Sequence, residues 1–222
     1  ENNTGASNTF IGVKTGEQTG AGDSNTAIGT EAGRYITTGA RNVMVGMESG
    51  KWNQAGNDNI SIGYQALNAT GTAKDRNVAI GHTALTANVD GCRMVAIGQG
   101  ALSTNTTGSN NTAFGYKSIF SNQSASGLTA IGYQALYSNT TGDNNVALGS
   151  ESLYSNTTGS YNTASGYQSL YSNTTGEYNT AMGYQTLYTN TTGGYNTASG
   201  YQSLYLNTTG SRNAAFGLKA LY

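Results

Sequence analysis

Proline is absent from the 222 residues, cysteine and histidine occur once each (Cys92, His82), and charged residues make up only 9%. An ordinary soluble domain carries about 25% charged residues. One Cys and one His exclude a disulfide framework and a His/Cys metal cluster within one chain. The net charge is −1, with no run of one sign. That excludes the basic footprint of a nucleic-acid binder and an electrostatic tail. No stretch of about 18 apolar residues occurs, so no direct membrane insertion is expected. The five aspartates do not recur with a period, unlike calcium-binding nonapeptide repeats. His82 is far from any nucleophile motif, and the carboxylates are scattered singly apart from Glu31 and Glu48, which fall at one repeat position. No catalytic residue, metal site or cofactor is expected, and the chain reads as a non-enzyme.

What is abundant is Gly, Thr and Asn, together 90 residues. Such a composition by itself reads as low-complexity disorder. Placement argues otherwise. The glycine of an Asn-Thr-Ala-Ile-Gly-like motif recurs at Gly12, Gly29, Gly46, Gly63, Gly81, Gly98, Gly115, Gly132, Gly149, Gly166, Gly183, Gly200 and Gly217. The step is 17 residues throughout, except for 18 between Gly63 and Gly81. This is a quasi-one-dimensional array.

Number a unit from its Asn as position 0, as in Asn179 to Tyr195. Positions 1 to 3 alternate as a short half-buried strand does. Gly stands at position 4, a small residue at 7, and Leu or Ile at 8 from Leu67 onward. Asn-Thr-Thr-Gly follows, a turn composition. Seventeen residues with two glycines in register leave no room for a capped helix. The reading is an all-β solenoid of about 13 coils, each pairing its backbone with the coils above and below at about 4.8 Å. Burial is expected for the Ile-like residue at position 3 and the Leu at position 8. Ser165 and Ser199 sit at position 3, and a hydroxyl in a dry core costs about 1–3 kcal/mol unless bonded, so position 3 is not the only buried column. The Ala column at position 2 (Ala147, Ala164, Ala181, Ala198, Ala215) has two readings, a chain–chain seam or the filling of a tight interior.

Residues 1–7 read as a lead-in, 8–58 as three variant coils and 59–222 as regular coils. In the variant coils Gly16, Gly33 and Gly50 replace the Leu of position 8, with Gln18, Tyr35 and Trp52 two positions on. Charges stack there, Lys14 over Glu31 and Glu17 over Arg34. The insertion at Thr72–Arg76 is expected to protrude as a turn. Cys92, beside Gly91, reads as a free thiol.

Asn77-Val-Ala-Ile-Gly81 and Val95-Ala-Ile-Gly98 resemble the head repeats of trimeric autotransporter adhesins, and Gly132 to Gly142 is similar to repeats of phage and bacterial tail-fibre-type proteins. The resemblance covers residues 8–222. It implies a left-handed parallel β-roll, a parallel homotrimer, and an extracellular, cell-surface or virion and injection-apparatus location. The 17-residue period is longer than that of the autotransporter heads.

Fourteen of the 16 tyrosines lie from Tyr116 onward, and most fall in columns. Position 5 holds Tyr116, Tyr133, Tyr167, Tyr184 and Tyr201. Position 9 holds Tyr137, Tyr154, Tyr171, Tyr188, Tyr205 and Tyr222, preceded by Phe120. Position 16 holds Tyr161, Tyr178 and Tyr195. Position 9 packs between chains or over the Leu column. The alternative is an aromatic track for sugar rings, with Gln134, Gln168, Gln185 and Gln202 at position 6 supplying amide bonds. The Asn-Thr-Thr-Gly column (Asn105, Asn139, Asn156, Asn173, Asn190, Asn207) makes glycosylation sequons or, as turn chemistry, Asn side chains bonding backbone and one another. These features give a structural and adhesive fibre module whose partners are a cell-surface polysaccharide or another fibre component. Its rivals are a glycan-binding recognition head and, more remotely, a monomeric ice-binding or surface-layer solenoid.

Overall fold

The computed structural model describes residues 5–18, 20–69, 71 and 75–222. It consists of two compact units, Glu1–Asn111 and Thr112–Tyr222. Unit 1 holds β1 (Thr9–Ile11), β2 (Thr26–Ile28), β3 (Val43–Val45), β4 (Ile60–Ile62), β5 (Val78–Ile80) and β6 (Val95–Ile97). Unit 2 holds β7 (Thr112–Phe114), β8 (Thr129–Ile131), β9 (Val146–Leu148), β10 (Thr163–Ser165), β11 (Thr180–Met182), β12 (Thr197–Ser199) and β13 (Ala214–Phe216). Each strand is three residues long and occupies positions 1 to 3 of its coil. Strands pair in parallel one repeat apart, as in Thr163↔Thr180, Ala164↔Ala181 and Ser165↔Met182. The 18-residue step is absorbed between β4 and β5, where Ile60 still pairs with Val78. The insertion is one residue within Thr72–Arg76, and Thr72, Ala73 and Lys74 of that expected turn lie outside the described residues. The chain is thus a parallel β-solenoid of about 13 coils, and no helix occurs among the described residues.

One expectation is overturned. The middle residue of each strand faces inward and its two neighbours face out. The Ala column from Ala79 to Ala198 is fully buried, whereas Ile131 is 45% exposed, Met182 52% and Phe114 53%. A period-2 strand allows two phases, and choosing the other one moves every side chain to the opposite face. In the coils with Leu or Ile at position 8 the interior admits only a small side chain at position 2, because that residue and two columns of Asn already fill it. Ser165 and Ser199 therefore cost nothing at position 3, since they stand on the outer face. The tight-interior reading of the Ala column holds, and the seam reading fails.

Leu at position 8 is buried as expected, with Leu136, Leu153 and Leu170 inaccessible. Each adopts a left-handed backbone, φ 56°, 51° and 51°. That conformation costs a side-chain-bearing residue about 1–2 kcal/mol, against about 1.5–3 kcal/mol gained by burying Leu. Gly16, Gly33 and Gly50 hold the same φ, 54° to 59°, without that cost. In those coils the volume comes from elsewhere. A Cβ on Gly16 would lie 2.7 Å from the Phe10 ring, and one on Gly50 2.5 Å from Met44 Sδ. A Cβ on Gly33 would meet Ile36 at 2.8 Å. Phe10, Met44 and Ile36 therefore occupy the space that Leu fills in later coils. The first three coils share the strand positions and left-handed positions of the rest and differ in what fills them.

Two asparagine ladders complete the interior. At position 0, Asn162 takes Asn145 Oδ1 with its backbone N–H (2.9 Å), and Asn179 and Asn196 repeat the contact one coil on. At position 11, Asn156, Asn173, Asn190 and Asn207 each donate Nδ2 to the Oδ1 one coil back, at 2.7 to 3.0 Å. Both ladders converge on the position-14 glycine: Gly176 O accepts from Asn162 Nδ2 and Asn173 Nδ2. A Cβ on Gly176 would stand 2.4 Å from Asn173 Oδ1 and 2.5 Å from Gly193 O, so the ladder needs glycine's close approach there. Buried amides are tolerated because each is bonded.

Candidate functional site

Because position 2 points inward, the chemistry available to a partner lies in the outward columns 1, 3, 5, 6, 9, 13, 15 and 16. Apolar residues face out at position 3 in both units, broken by Ser165 and Ser199, and at position 1 chiefly in unit 1, since unit 2 has mostly Thr there. In unit 1 they include Val43, Ile60 and Ile62, and in unit 2 Phe114, Ile131, Leu148 and Met182, all exposed.

The tyrosines form the predicted columns. At position 9, Phe120 and the tyrosines from Tyr137 to Tyr222 stack at 5.1 to 5.3 Å with nearly parallel rings. Tyr137, Tyr154, Tyr171, Tyr188 and Tyr205 are half-buried. Burial raises the phenol pKa of Tyr171 and Tyr188, with Glu151 and the neighbouring phenols adding to it. At position 5, Tyr116 stacks on Tyr133, and Tyr167, Tyr184 and Tyr201 stack in turn, at 5.0 to 5.4 Å. Tyr133, Tyr167, Tyr184 and Tyr201 are exposed. At position 16, Tyr161, Tyr178 and Tyr195 stack at 4.9 Å. Within a run each ring covers its neighbour's face. Solvent therefore meets ring edges and hydroxyls, and ring faces open only where a run is interrupted.

The position-6 amides are partly engaged with one another. Gln202 donates to Gln185 Oε1 at 2.9 Å, Gln185 to Gln168 Oε1 at 2.8 Å, and Gln168 to Glu151 Oε2 at 2.7 Å. One N–H of each Gln is used this way, leaving the second for a ligand. Gln134 continues the column one coil back from Glu151.

In unit 1 the same two columns carry charge. Arg34 pairs with Glu17 (2.5 Å) and Glu31 (2.9 Å), and Lys51 bridges Glu31 (2.6 Å) and Glu48 (2.9 Å). The stacked carboxylates Glu31 and Glu48 are thus held together by an ammonium. The Lys51 hydrogen bond holds the Glu31 carboxyl below the usual range, and Gln65 with Lys51 does so for Glu48. The two glutamates in turn raise the Lys51 pKa. The expected Glu17–Arg34 pair forms, whereas Glu31 takes Arg34 and Lys51 as its ion-pair partners in place of Lys14. Tyr35 and Trp52 stack at 3.9 Å beside this network.

The sequon asparagines Asn105, Asn139, Asn156, Asn173 and Asn190 are fully buried with Nδ2 bonded, so they serve the ladder and do not carry glycans in the folded chain. Thr140, Thr157, Thr174 and Thr191 donate Oγ1–H to the carbonyl of the threonine one coil on. That leaves position 13 as the outward threonine column. His82 stacks on Tyr64 at 5.2 Å as another rung. Cys92 is a half-buried free thiol near Ser109. Among the described residues no group of acidic, His and Cys side chains could hold a metal ion, and no helix is long and apolar enough to cross a membrane. The position-0 ladder is the feature that sequence reasoning missed. Its signal in the sequence was that the residues replacing Asn there, Met94 and Leu128, are apolar, and the structure buries both.

Compared with known proteins, the chain matches no family model, no curated protein and no solved structure.

Proposed function

We propose that the chain is a structural and adhesive fibre module, displayed outside the cell or on a virion or injection apparatus as a left-handed β-roll in a parallel homotrimer. The observation that carries this reading is the apolar outer face of the strands. Monomeric surfaces rarely leave a contiguous apolar stripe uncovered, and parallel sheets are normally covered on both faces. Apolar residues recur at position 3 in all coils but those of Ser165 and Ser199, so the partner that matches them best has the same repeat. Further copies of the chain satisfy this, and closed symmetry limits the association. The seam then runs along positions 1 and 3.

Light scattering tests this. Wild type should give three times the 22.9 kDa chain mass. Ile131→Glu, on the outer face, should dissociate the assembly while leaving the coil folded. A monodisperse single chain would overturn the trimer.

A second reading, recognition of a neutral extended glycan, is favoured by the exposure of Tyr167, Tyr184 and Tyr201 on successive coils. Weak contacts repeated along a fibre and across chains add up to useful avidity.

A further inference from the structure

The position-5 ladder of unit 2 lacks one rung. Tyr116 and Tyr133 form one stack and Tyr167, Tyr184 and Tyr201 another, with Ser150 at the coil between them. The backbone is uninterrupted there. Glu151 N–H reaches Tyr133 O at 2.8 Å, and Gln168 N–H reaches Ser150 O at 3.0 Å, the same contacts that other coils make. Only the side chain is missing. Two coil steps of about 4.8 Å separate the rings on either side by about 10 Å. Tyr133 and Tyr167, 50% and 44% exposed, thus turn a free face toward each other across a gap one ring deep.

The same coil departs from its neighbours at the next position too. Glu151 stands where Gln134, Gln168, Gln185 and Gln202 stand in the flanking coils. Its Oε2 accepts from Gln168, and Oε1 has no partner among the described residues. Gly149-Ser150-Glu151 therefore replaces Gly-Tyr-Gln with a gap and a carboxylate side by side. The missing ring does not help the fold, because Tyr would continue a stack that flanks the site on both sides.

We infer that this gap is a slot for a single neutral pyranose ring, inserted between the faces of Tyr133 and Tyr167 with vicinal hydroxyls donating to Glu151. A pyranose is apolar on its C–H faces and polar at its rim, which matches two aromatic walls and a carboxylate at one edge. Its hydroxyls are donors, and an ionised carboxylate accepts only. Charge-assisted bonds of this kind are about twice as strong as neutral ones. The inference rests on the glycan-recognition reading and assigns it a place.

The test is saturation-transfer NMR on the full chain with the methyl pyranosides of glucose, galactose and mannose, each alone, and with indole as a planar ring. At least one pyranoside should receive saturation at its ring C–H protons. Ser150→Tyr, which restores the missing rung, should abolish it without lowering the unfolding midpoint. Glu151→Gln should weaken binding roughly five- to tenfold, given the loss of charge assistance. Tyr133→Leu and Tyr167→Leu, which remove the walls, should each abolish it, and they decide the matter if Ser150→Tyr does not fold. Tyr178→Ala, in the separate position-16 stack, should leave it intact. Saturation that survives Ser150→Tyr would place the sugar elsewhere, sinking the slot but not glycan recognition. Saturation of indole alone, or of no probe, would overturn the assignment of a sugar slot.

Discussion

Unit 1 and unit 2 wind the same coil around and beneath different contents. Both repeat a three-residue parallel strand, a glycine at position 4 and left-handed residues at positions 6, 8 and 16. The first three coils of unit 1 fill the interior from positions 2 and 11, with Phe10, Met44 and Ile36, and leave glycine at position 8. Unit 2 fills it from position 8 with Leu or Ile and keeps Ala at position 2. Outside, columns 6 and 9 hold an ion network in unit 1 and an amide and aromatic ladder in unit 2. The corner at positions 13 to 16 differs in the same way. Unit 1 has a groove of about 320 Å³ lined by Asp75, Arg76, Asp90, Cys92 and Arg93. Unit 2 has one of about 380 Å³ among Thr175, Thr192, Tyr195 and Arg212. Backbone geometry is set by the period, and side-chain identity is free wherever volume and bonding are conserved within a coil.

The largest effect that would separate the units is glycan attachment. Five of the six Asn-Thr-Thr-Gly sequons in the ladder column lie in unit 2. Production in a glycosylating host should leave chains occupied at Asn156 or Asn173 unable to form unit 2, because the bonded Nδ2 is inside. The check is mass spectrometry of the folded and aggregated fractions. Occupied Asn156 in folded protein would contradict the buried ladder.

A smaller contrast lies within position 11. Asn173→Ala removes the acceptor of Asn190 Nδ2 and the donor to Asn156 Oδ1. Two stranded groups at about 1–3 kcal/mol each should lower stability markedly. Asn53 in unit 1 makes one long bond to Gly56 O (3.3 Å), and its buried Oδ1 has no partner. Asn53→Ala should therefore cost about 1 kcal/mol or less. Denaturant unfolding of the two variants compares them directly, and equal losses would mean that the ladder bonds carry no weight.

Protonation should divide the units more gently. Glu31 and Glu48 have folded pKa values below their unfolded ones. Their contribution is complete above the ordinary carboxylate range and is lost as pH falls through the lowered values. Tyr171 and Tyr188 are shifted upward, so their contribution is present below the ordinary phenol pKa and is lost as pH rises through the raised values. Lys51 behaves in the same sense above the lysine range. Hydrogen exchange should show acid loosening first around Glu31 and Lys51, and alkaline loosening first along the position-9 tyrosines. A Lys51→Met variant should lose the acid-sensitive phase around Glu31.

The period, the coil count, the buried Leu column and the aromatic columns were all legible in the sequence, because a repeat places like over like whatever the cross-section. The strand phase was not. Positions 1 and 3 carry the branched residues, and a half-buried strand ordinarily turns those inward. Here the interior is so narrow that Ala and bonded Asn fill it beside Leu. The left-handed backbone of Leu170, Gln168 and Tyr178 left only a scattered trace, the glycines at the same positions in other coils (Gly16, Gly33 and Gly50 at 8, Gly100 at 6, Gly127 at 16). At the candidate site the tyrosine columns were readable. The gap at Ser150 was readable too, and that ring faces are mutually covered except beside that gap follows only from the stacking geometry.

The claim that interior volume is handed between positions 2 and 8 is tested most directly at Met44 and Gly50. Met44→Ala alone should leave a cavity costing about 2–5 kcal/mol. Gly50→Leu alone should collide with Met44, since its Cβ would already stand 2.5 Å from Sδ. The double variant reproduces the pairing that unit 2 uses at Ala164 and Leu170. Its unfolding free energy should return to within about 1–2 kcal/mol of wild type, the residue of left-handed strain at Leu. Losses that simply add in the double variant would contradict the account.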